Sequence, residues 1–254
     1  MSIAIFFEKL FKWLFLGCLS LMLILTFYKD KLPDPAFYGE NYIEEPIQLE
    51  TVREEFETQV NGEKYTITPL YDYELQGVVV SYHDADSFLD IWHHKRWRDF
   101  LNQRDLCVIW GDNLVSGVYK KLDFSNDSWT CWVYWPDSST GSRFKMNGLS
   151  NNHLLIDNEE LRSILMSSEP GDHVRFKGFL AEYANKANNF KRGSSTTRED
   201  SGNGACETVY LTKFEIIKKA NVKVRRLFNF AKTLAFFSLI GFLVLFFITP
   251  ARVT

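Results

Sequence analysis

Two stretches decide the predicted fold: EPGDHVRFKGFLAEY over residues 169–183 and DSGNGACETVYLTKFEII over residues 200–217. Each contains a run of β-branched and aromatic residues that is typical of a β-strand. The polar segment between them, 184–205, has no apolar periodicity. A loop of that length inside a compact domain is usually functional or disordered. We therefore predict two structural strands around a loop, and that loop is the first place to look for a functional site.

In the rest of the domain, the pattern of apolar and polar residues predicts further short strands and two helices. Alternating or continuous β-branched and aromatic residues predict strands over 65–70, 74–82, 106–110, 116–123 and 128–135. Amphipathic spacing predicts helices over 87–102 and 157–168. Together these elements predict an α+β domain, mainly β, over residues 65–217. The expected form is a small OB-like β-barrel with two helices.

Both ends of the chain carry apolar runs. Residues 13–28 and 233–249 contain no charge, and with neighbouring apolar residues they reach the length of transmembrane helices. A cleaved signal peptide is the alternative for the first run, but no small-residue cleavage site follows it. The remaining segments are expected to be an N-terminal tail (1–12), a tether (29–64), a basic juxtamembrane segment (218–232) and a C-terminal tail (250–254).

Charge is distributed unevenly along the chain. Residues 29–217 hold 20 Lys/Arg and 31 Asp/Glu, whereas the two ends hold 9 Lys/Arg and 1 acidic residue. An acidic domain argues against a nucleic-acid partner, because binding to phosphates needs clustered positive charge. The basic residues before the second apolar run predict, by the positive-inside rule, a cytosolic domain. The expected partners are the lipid bilayer and a membrane or envelope protein.

Cysteine chemistry leaves two alternatives open. Cys107, Cys131 and Cys206 allow one disulfide with one free thiol, or no disulfide. Cys206 is also a candidate nucleophile, with His153 as its base and Asp112 or Asp200 as the group that orients the base. The other interpretation is a structural Cys206 that is buried or disulfide-bonded.

The loop also offers a candidate anion site. The turn Gly202-Asn203-Gly204 can present backbone N–H groups, and Arg192 and Arg198 add positive charge. However, the turn leads into a strand and lacks the Lys-Ser/Thr ending of a phosphate-binding loop. The five histidines show no H-x-H or H-E-x-x-H spacing, so we predict no metal and no cofactor.

The sequence WTCWVYW at 129–135 is unusually aromatic. One interpretation is a platform on which a base or a sugar stacks. A strand that faces the core, or one that lies against the membrane interface, is the more usual reason for such a run.

Several motifs in the domain resemble a known group of proteins. They are WGD at 110–112, NNHLL at 151–155, PGD at 170–172 with GFL at 178–180, and GNGACE at 202–207. Over about residues 65–217 the chain resembles an uncharacterised group of bacterial membrane-anchored proteins with no known activity. The resemblance therefore implies no catalytic residue. It does imply a single N-terminal anchor in the bacterial inner (plasma) membrane and a domain outside the cytosol, and the second apolar run departs from that pattern.

The expected function follows from these features. We expect a multi-pass membrane protein that presents a binding or scaffold domain without catalysis, on a side of the membrane that the sequence leaves open. The alternative is a membrane-tethered enzyme, or an anion sensor, that uses Cys206, His153 and the 184–207 loop.

Overall fold

The computed structural model describes residues 3–39, 45–87, 92–200 and 205–249. The chain divides into two compact units, a helical unit of Met1–Lys31 with Asn221–Thr254 and a domain of Leu32–Ala220. The α-helices are α1 Ile3–Lys29, α2 Asp112–Val115, α3 Ser138–Gly141, α4 Glu159–Met166 and α5 Val222–Ile248. The strands are β1 Ile47–Glu50, β2 Phe56–Val60, β3 Glu63–His83, β4 Asn102–Ile109, β5 Asp123–Asn126, β6 Cys131–Tyr134, β7 Leu149–Leu155, β8 His173–Asn185, β9 Lys191–Arg192 and β10 Glu207–Lys218.

The helical unit consists of α1 and α5, each 27 residues long and apolar enough to cross a membrane. At 1.5 Å per residue each helix spans about 40 Å, more than the roughly 30 Å hydrocarbon core of a bilayer. Both helices begin before the apolar runs 13–28 and 233–249. Asn221 and Arg225 donate hydrogen bonds to the carbonyl oxygen of Lys29, each at 3.1 Å. They thereby satisfy a carbonyl that has no partner within α1.

The domain is built around a large sheet with mixed α+β character. Eight strands form it in the described part of the chain, and β5 and β6 form a separate two-stranded sheet. β1 and β2 lie within the segment 29–64, for which the sequence predicts a tether, and both pair with β3. The prediction of a mainly β domain is confirmed. The sheet is larger than the predicted small barrel, with β1, β2 and β9 as additional strands, and it is not a true barrel.

Within a set of five strands, each strand pairs with two others of the set, in the order β3–β4–β7–β10–β8–β3. The β7–β10 pair is parallel, and the other four pairs are antiparallel. β3 can join both β4 and β8 because it is long and its register shifts twice, between Pro69 and Tyr71 and between Val79 and Ser81. Such irregularities bend and twist a strand. One long bent strand therefore replaces the two short strands predicted at 65–70 and 74–82.

Side chains alternate along these strands, and the inward set forms the main core. Leu75, Val108, Leu154, Phe176 and Val209 come from the five paired strands and are fully buried. α4 adds Leu165 to the same cluster. Asn158 caps α4 by accepting a hydrogen bond from the Leu161 N–H at 2.9 Å. The predicted helix over 157–168 is thus present in a shorter form.

Close backbone approach between β8 and β10 makes Gly178 a sensitive position. A Cβ added there would lie 2.0 Å from the Tyr210 carbonyl oxygen. We expect Gly178→Ala to lower the free energy of unfolding by at least about 1–3 kcal/mol, because the strands must separate to admit the methyl group. Gly193→Ala is the matched control, since its nearest new contact is 3.8 Å away. The two full-length variants are compared by urea unfolding in detergent. Equal urea midpoints would contradict the expected separation of the strands.

Residues 110–148, between β4 and β7, form a long excursion from the sheet that we call the insertion. It contains α2, a 3-10 turn over Val118–Lys121, the β5–β6 hairpin and α3. The predicted strand over 116–123 is wrong, because Gly111 and Gly117 have φ angles of 57° and 66° that favour turns. A disulfide joins Cys131 of the hairpin to Cys107 of β4, with a Cα–Cα distance of 5.8 Å. Of the two cysteine arrangements that the sequence allows, the structure thus has the one with a disulfide.

The predicted helix over 87–102 is only partly described. Residues 88–91 lie outside the described residues, Trp92–Trp97 form a π-helical turn, and β4 begins at Asn102. The segment therefore joins β3 to β4 by a short irregular helix rather than by four regular turns.

Candidate functional site

Strands β4 and β7 bring a set of polar side chains onto the face of the sheet opposite the main core. Asp105 lies opposite His153 in the antiparallel register, and Cys107 lies opposite Asn151. Alternation along each strand separates these residues from the core residues Leu106 and Leu154. Because the insertion and the loop after β8 cover this face, polar groups here are buried and must find partners within the protein.

Asp105 and His153 form the central contact. The Nδ1 atom of His153 lies 2.7 Å from Oδ1 of Asp105, and Asn102 donates to the same oxygen at 2.9 Å. Burial raises the pKa of Asp105, but the combined effects of His153, Arg192 and His93 outweigh it and the pKa is lowered overall. Burial lowers the pKa of His153, against the opposing effect of Asp105. At neutral pH this favours an ionised Asp105 that accepts the Nδ1–H of a neutral imidazole.

A second buried carboxylate lies beside this pair. Asp99 accepts a hydrogen bond from the Tyr183 hydroxyl at 2.6 Å and from the backbone N–H groups of Leu101 and Asn102, both at 3.2 Å. Burial, reinforced by the charge of Asp99, raises the pKa of Tyr183. The hydroxyl of Tyr183 therefore stays protonated and acts as a donor.

Arg192 completes the group that we call the polar centre: Asp99, Asn102, Asp105, His153, Tyr183 and Arg192. Burial lowers the pKa of Arg192, but Tyr183 and the carboxylates of Asp105 and Asp99 outweigh it and raise the pKa overall. Oδ2 of Asp105 and Nη1 of Arg192 are buried, and neither has a hydrogen-bond partner among the described residues. The charge of Arg192 thus compensates two buried carboxylates of the centre.

Cys206 lies at the edge of this face with its thiol free. Its Sγ accepts from Nδ2 of Asn151 and donates to the carbonyl oxygen of Trp129, both at 3.6 Å. Burial raises the pKa of Cys206 to about 11. The hydrogen bonds found for the thiol do not involve His153, so the thiol is held in its protonated form, in contrast to an activated nucleophile.

The carboxylates proposed from sequence as orienting groups lie elsewhere. Asp112 is exposed on α2, and Asp200 accepts a hydrogen bond from the Ser195 hydroxyl at 2.6 Å. The carboxylate that orients His153 is Asp105. Among residues 3–39, 45–87, 92–200 and 205–249, no three His, Cys, Asp or Glu side chains are grouped as ligands for a metal ion.

A second polar group lies on the core side of the sheet. Glu207 of β10, 3% exposed, forms an ion pair with Arg198 of the loop. The guanidinium of Arg198 also donates to Gln48 at 3.3 Å and lies 5.4 Å from the centre of the Tyr73 ring. Burial raises the pKa of Glu207 to about 7, although Arg198 opposes the shift.

These contacts change the interpretation of the loop as an anion site. Arg198 is engaged by Glu207, and Arg192 lies in the field of Asp99 and Asp105. Both arginines therefore face carboxylates of the protein itself. The three remaining residues of the predicted anion site, Gly202, Asn203 and Gly204, lie outside the described residues.

The raised pKa of Glu207 predicts a pH dependence of stability. Because the folded pKa of about 7 exceeds the usual value of 4.5, the folded state binds more protons than the unfolded state between these values. We therefore expect this residue to lower the stability of the domain as the pH rises from about 4.5 to 7. Glu207→Gln should flatten that part of the profile of urea midpoint against pH. An unchanged profile in the variant would contradict the assignment.

An open surface cleft of about 340 Å³ lies next to the polar centre. The rings of Trp97 and Phe190 stack beside it at 5.5 Å between centroids. The lining combines cations, amides and aromatic rings: Arg96, Trp97, Asn188, Asn189, Phe190 and Lys191. This composition suits a ligand or partner that presents acidic or amide groups beside a flat apolar surface.

Sequence reasoning missed Asp105 and Asp99 as members of the site. The apolar pattern predicts a strand that begins only at residue 106, which leaves Asp105 outside it. Asp105 comes immediately before the apolar run 106–110, and a charged residue in that place could have indicated the site. Its strand pairs with β7, which contains His153.

Comparisons of the chain with protein-family models, with curated proteins and with solved structures find no match. The fold and the polar centre are therefore the basis on which a function can be assigned.

Proposed function

We propose that this chain is a two-span membrane protein that presents a non-enzymatic binding or scaffold domain on the non-cytosolic side of the membrane, which the resemblance would make a bacterial inner membrane. The observation that carries the proposal is the Cys107–Cys131 disulfide between two apolar terminal helices. Disulfides persist in oxidising compartments and are rare in the cytosol. The resemblance to membrane-anchored proteins implies the same side.

The basic residues before the second apolar run, 233–249, favour the opposite side, and the disulfide is the stronger argument. The positive-inside rule applies to short loops, and domains longer than about 60 residues are translocated largely regardless of charge. The domain here is Leu32–Ala220. In addition, Lys223, Arg225, Arg226 and Lys232 lie within α5 itself.

Counting thiols in whole cells tests the side of the membrane. Cells that express the full chain are quenched with acid, and the denatured protein is treated with a polyethylene glycol maleimide. We expect two thiols, Cys18 and Cys206, to react without reductant and all four to react after reduction. Four reactive thiols without reductant would place the domain in a reducing compartment.

We further propose that the domain is OB-like. OB folds are five-stranded Greek-key barrels, partly open. The order β3–β4–β7–β10–β8–β3, the parallel β7–β10 pair and the helix α4 between β7 and β8 support this interpretation. The domain has elements beyond those of a five-stranded OB fold, namely β1, β2, β9 and the insertion.

The OB-like interpretation indicates where a partner binds. Such modules bind ligands on the face of their second and third strands and with adjacent loops. Here those strands are β4 and β7, and the disulfide-linked hairpin covers part of their outer face. The adjacent cleft beside Trp97 and Phe190 stays open. We therefore assign partner binding to the cleft, and the acidic domain favours a protein partner over a nucleic acid.

The state of Cys206 distinguishes a binding domain from an enzyme. With a pKa of about 11, against a usual value of 9.0, its thiolate fraction is about 100-fold lower than that of a free thiol. We expect iodoacetamide at pH 8 to alkylate Cys206 of the folded chain about 100-fold more slowly than N-acetylcysteine. Mass spectrometry of the peptide that contains Cys206 gives the rate, and the urea-unfolded chain is the control. Alkylation as fast as that of the free thiol would support the enzyme.

The second candidate is a membrane-tethered enzyme, and the Asp105–His153 contact is the observation that favours it. A buried carboxylate that accepts the Nδ1–H of a histidine leaves Nε2 available as a base. The candidate set is then Cys206, His153 and Asp105 on neighbouring strands. A fast alkylation of Cys206 that His153→Gln abolishes would favour this candidate over the scaffold.

A further inference from the structure

The insertion concentrates the exposed apolar surface of the domain. Eleven large hydrophobic side chains are exposed among the described residues of Leu32–Ala220, and six of them lie in residues 110–148. The six are Val115, Trp129, Trp132, Tyr134, Trp135 and Met146. Residues 110–148 are 39 of the domain's 189 residues, about a fifth. An even distribution of the eleven exposed side chains would therefore place about two of them there. Exposed apolar side chains that share one face, as Trp132 and Tyr134 of β6 do, mark an interaction surface.

Charge separates the insertion from the rest of the domain. Residues 110–148 contain four Lys/Arg and four Asp/Glu, so their net charge is zero. The whole of 32–220 contains 20 Lys/Arg and 30 Asp/Glu, so the remainder carries a net charge of −10. An anionic surface repels most of the domain, and the neutral insertion is the part that can approach a lipid headgroup layer.

The hairpin presents its aromatic residues on a rigid support. Cys131 and Val133 of β6 pack inward with the second core cluster, and alternation turns Trp132 and Tyr134 outward. The disulfide fixes Cys131 to β4. Tryptophan and tyrosine have an apolar body and a polar tip, the combination that is enriched at membrane–water interfaces.

The insertion also packs against the first residues of the domain after α1. The Tyr119 hydroxyl donates to the carbonyl oxygen of Pro33 at 2.6 Å, and Lys120 forms an ion pair with Asp34. A Cβ added at Gly117 would lie 3.0 Å from the ring of Pro35. Pro33 follows Lys29, the last residue of α1, by only four positions. The insertion therefore contacts residues 33–35, which follow α1 closely in the chain, and α1 is a candidate membrane-spanning helix.

From these observations we infer that the outer aromatic face of the insertion docks on the interfacial layer of the bilayer in which α1 and α5 are anchored. The inference rests on the proposed two-span membrane protein. Trp132 and Tyr134 enter the headgroup region, while the acidic remainder of the domain stays in water. Docking restricts the orientation of the domain and keeps its cleft at a fixed height above the lipid.

Depth-dependent fluorescence quenching tests the inference on the full chain. Three single-cysteine variants are made in a Cys18→Ala, Cys206→Ser background, which leaves the disulfide intact: Tyr134→Cys, Lys213→Cys and Leu243→Cys. Each is labelled with a bimane probe and reconstituted into phosphatidylcholine vesicles that contain lipids with a spin label near the headgroup or deep in the chain. Lys213 is the matched control, because it is also an exposed strand residue, on β10, outside the insertion.

We expect headgroup-level spin labels to quench the probe at position 134 at least twofold more than the probe at 213. The probe at 243, within α5, should be quenched most by the deep spin label. If the probe at position 243 is quenched as expected while the probe at 134 is quenched no more than the probe at 213, docking is overturned. The proposal of a two-span protein is then unaffected. A probe at 134 that is shielded from iodide but not quenched by lipid indicates a protein partner or a second copy and also overturns docking. An unquenched probe at 243 overturns the membrane proposal together with the inference that rests on it.

Discussion

Removing the Cys107–Cys131 disulfide is expected to lower the free energy of unfolding of the domain by about 3 kcal/mol. The two cysteines are separated by 24 positions, and closing a loop of that size in the unfolded chain accounts for roughly this amount in the chain-entropy model. The effect is also structural, because the bond is the covalent link between the β5–β6 hairpin and β4. Without it, the hairpin retains its side-chain packing over Val78, Val80 and Ile109 and the hydrogen bonds of Asn126 to Ser81 and Asn151.

The measurement compares urea midpoints of the full chain and of the double variant Cys107→Ala, Cys131→Ala in detergent. Cys206→Ala is the control, since its thiol makes only two long hydrogen bonds and its removal should cost less than about 1 kcal/mol. Reduction of the unmodified chain should reproduce the double variant. A double variant as stable as the oxidised chain would show that the disulfide does not hold the hairpin in place.

Replacing Asp105 by alanine is expected to lower the free energy of unfolding by about 3–5 kcal/mol, the range typical of a buried ion pair that loses one partner. Asp105 is fully buried and receives His153 and Asn102. Removing it takes away the acceptor of His153 and Asn102 in a medium of low polarity. Arg192 would lose one of the carboxylates that compensate its charge.

Asp112→Ala is the matched control for this change, because Asp112 is an exposed carboxylate seven positions along the chain. Its replacement should alter the urea midpoint by an amount that corresponds to at most about 0.5 kcal/mol. Asp105→Asn should fall between the two, since an amide oxygen can still accept from His153 without carrying charge. Equal effects of the Asp105 and Asp112 replacements would contradict the assignment of the polar centre.

The parts of the fold with a strong local pattern were predictable from the sequence. Uninterrupted apolar runs identified both terminal helices, and the alternating residues of β8 and β10 identified the two strands around the loop. Only their bounds changed. α1 begins at Ile3 and α5 at Val222, because apolar residues beyond each uncharged run extend the helix past its flanking lysines and arginines.

The parts that depend on tertiary contacts were not predictable in the same way. β1 and β2 are only four and five residues long, and they are strands because β3 offers them hydrogen bonds. The segment 116–123 has a strand-like composition, but turns at Gly111 and Gly117 override it. The polar centre joins residues from β4, β7, β8 and β9 and the segment before β4, so no spacing along the chain indicates it. The choice of Cys107 and Cys131 as the disulfide pair likewise depends on the position of the hairpin over β4.

Labelling of sealed vesicles of known sidedness tests whether the domain lies on the non-cytosolic side between two membrane spans. The chain carries Lys213→Cys in the Cys18→Ala, Cys206→Ser background and is exposed to a membrane-impermeant maleimide in right-side-out and in inverted vesicles. Position 213 is exposed on β10, so access depends on the side of the membrane alone. We expect labelling in right-side-out vesicles and, in inverted vesicles, labelling only after detergent is added. Labelling in intact inverted vesicles, with protection in right-side-out ones, would contradict this expectation.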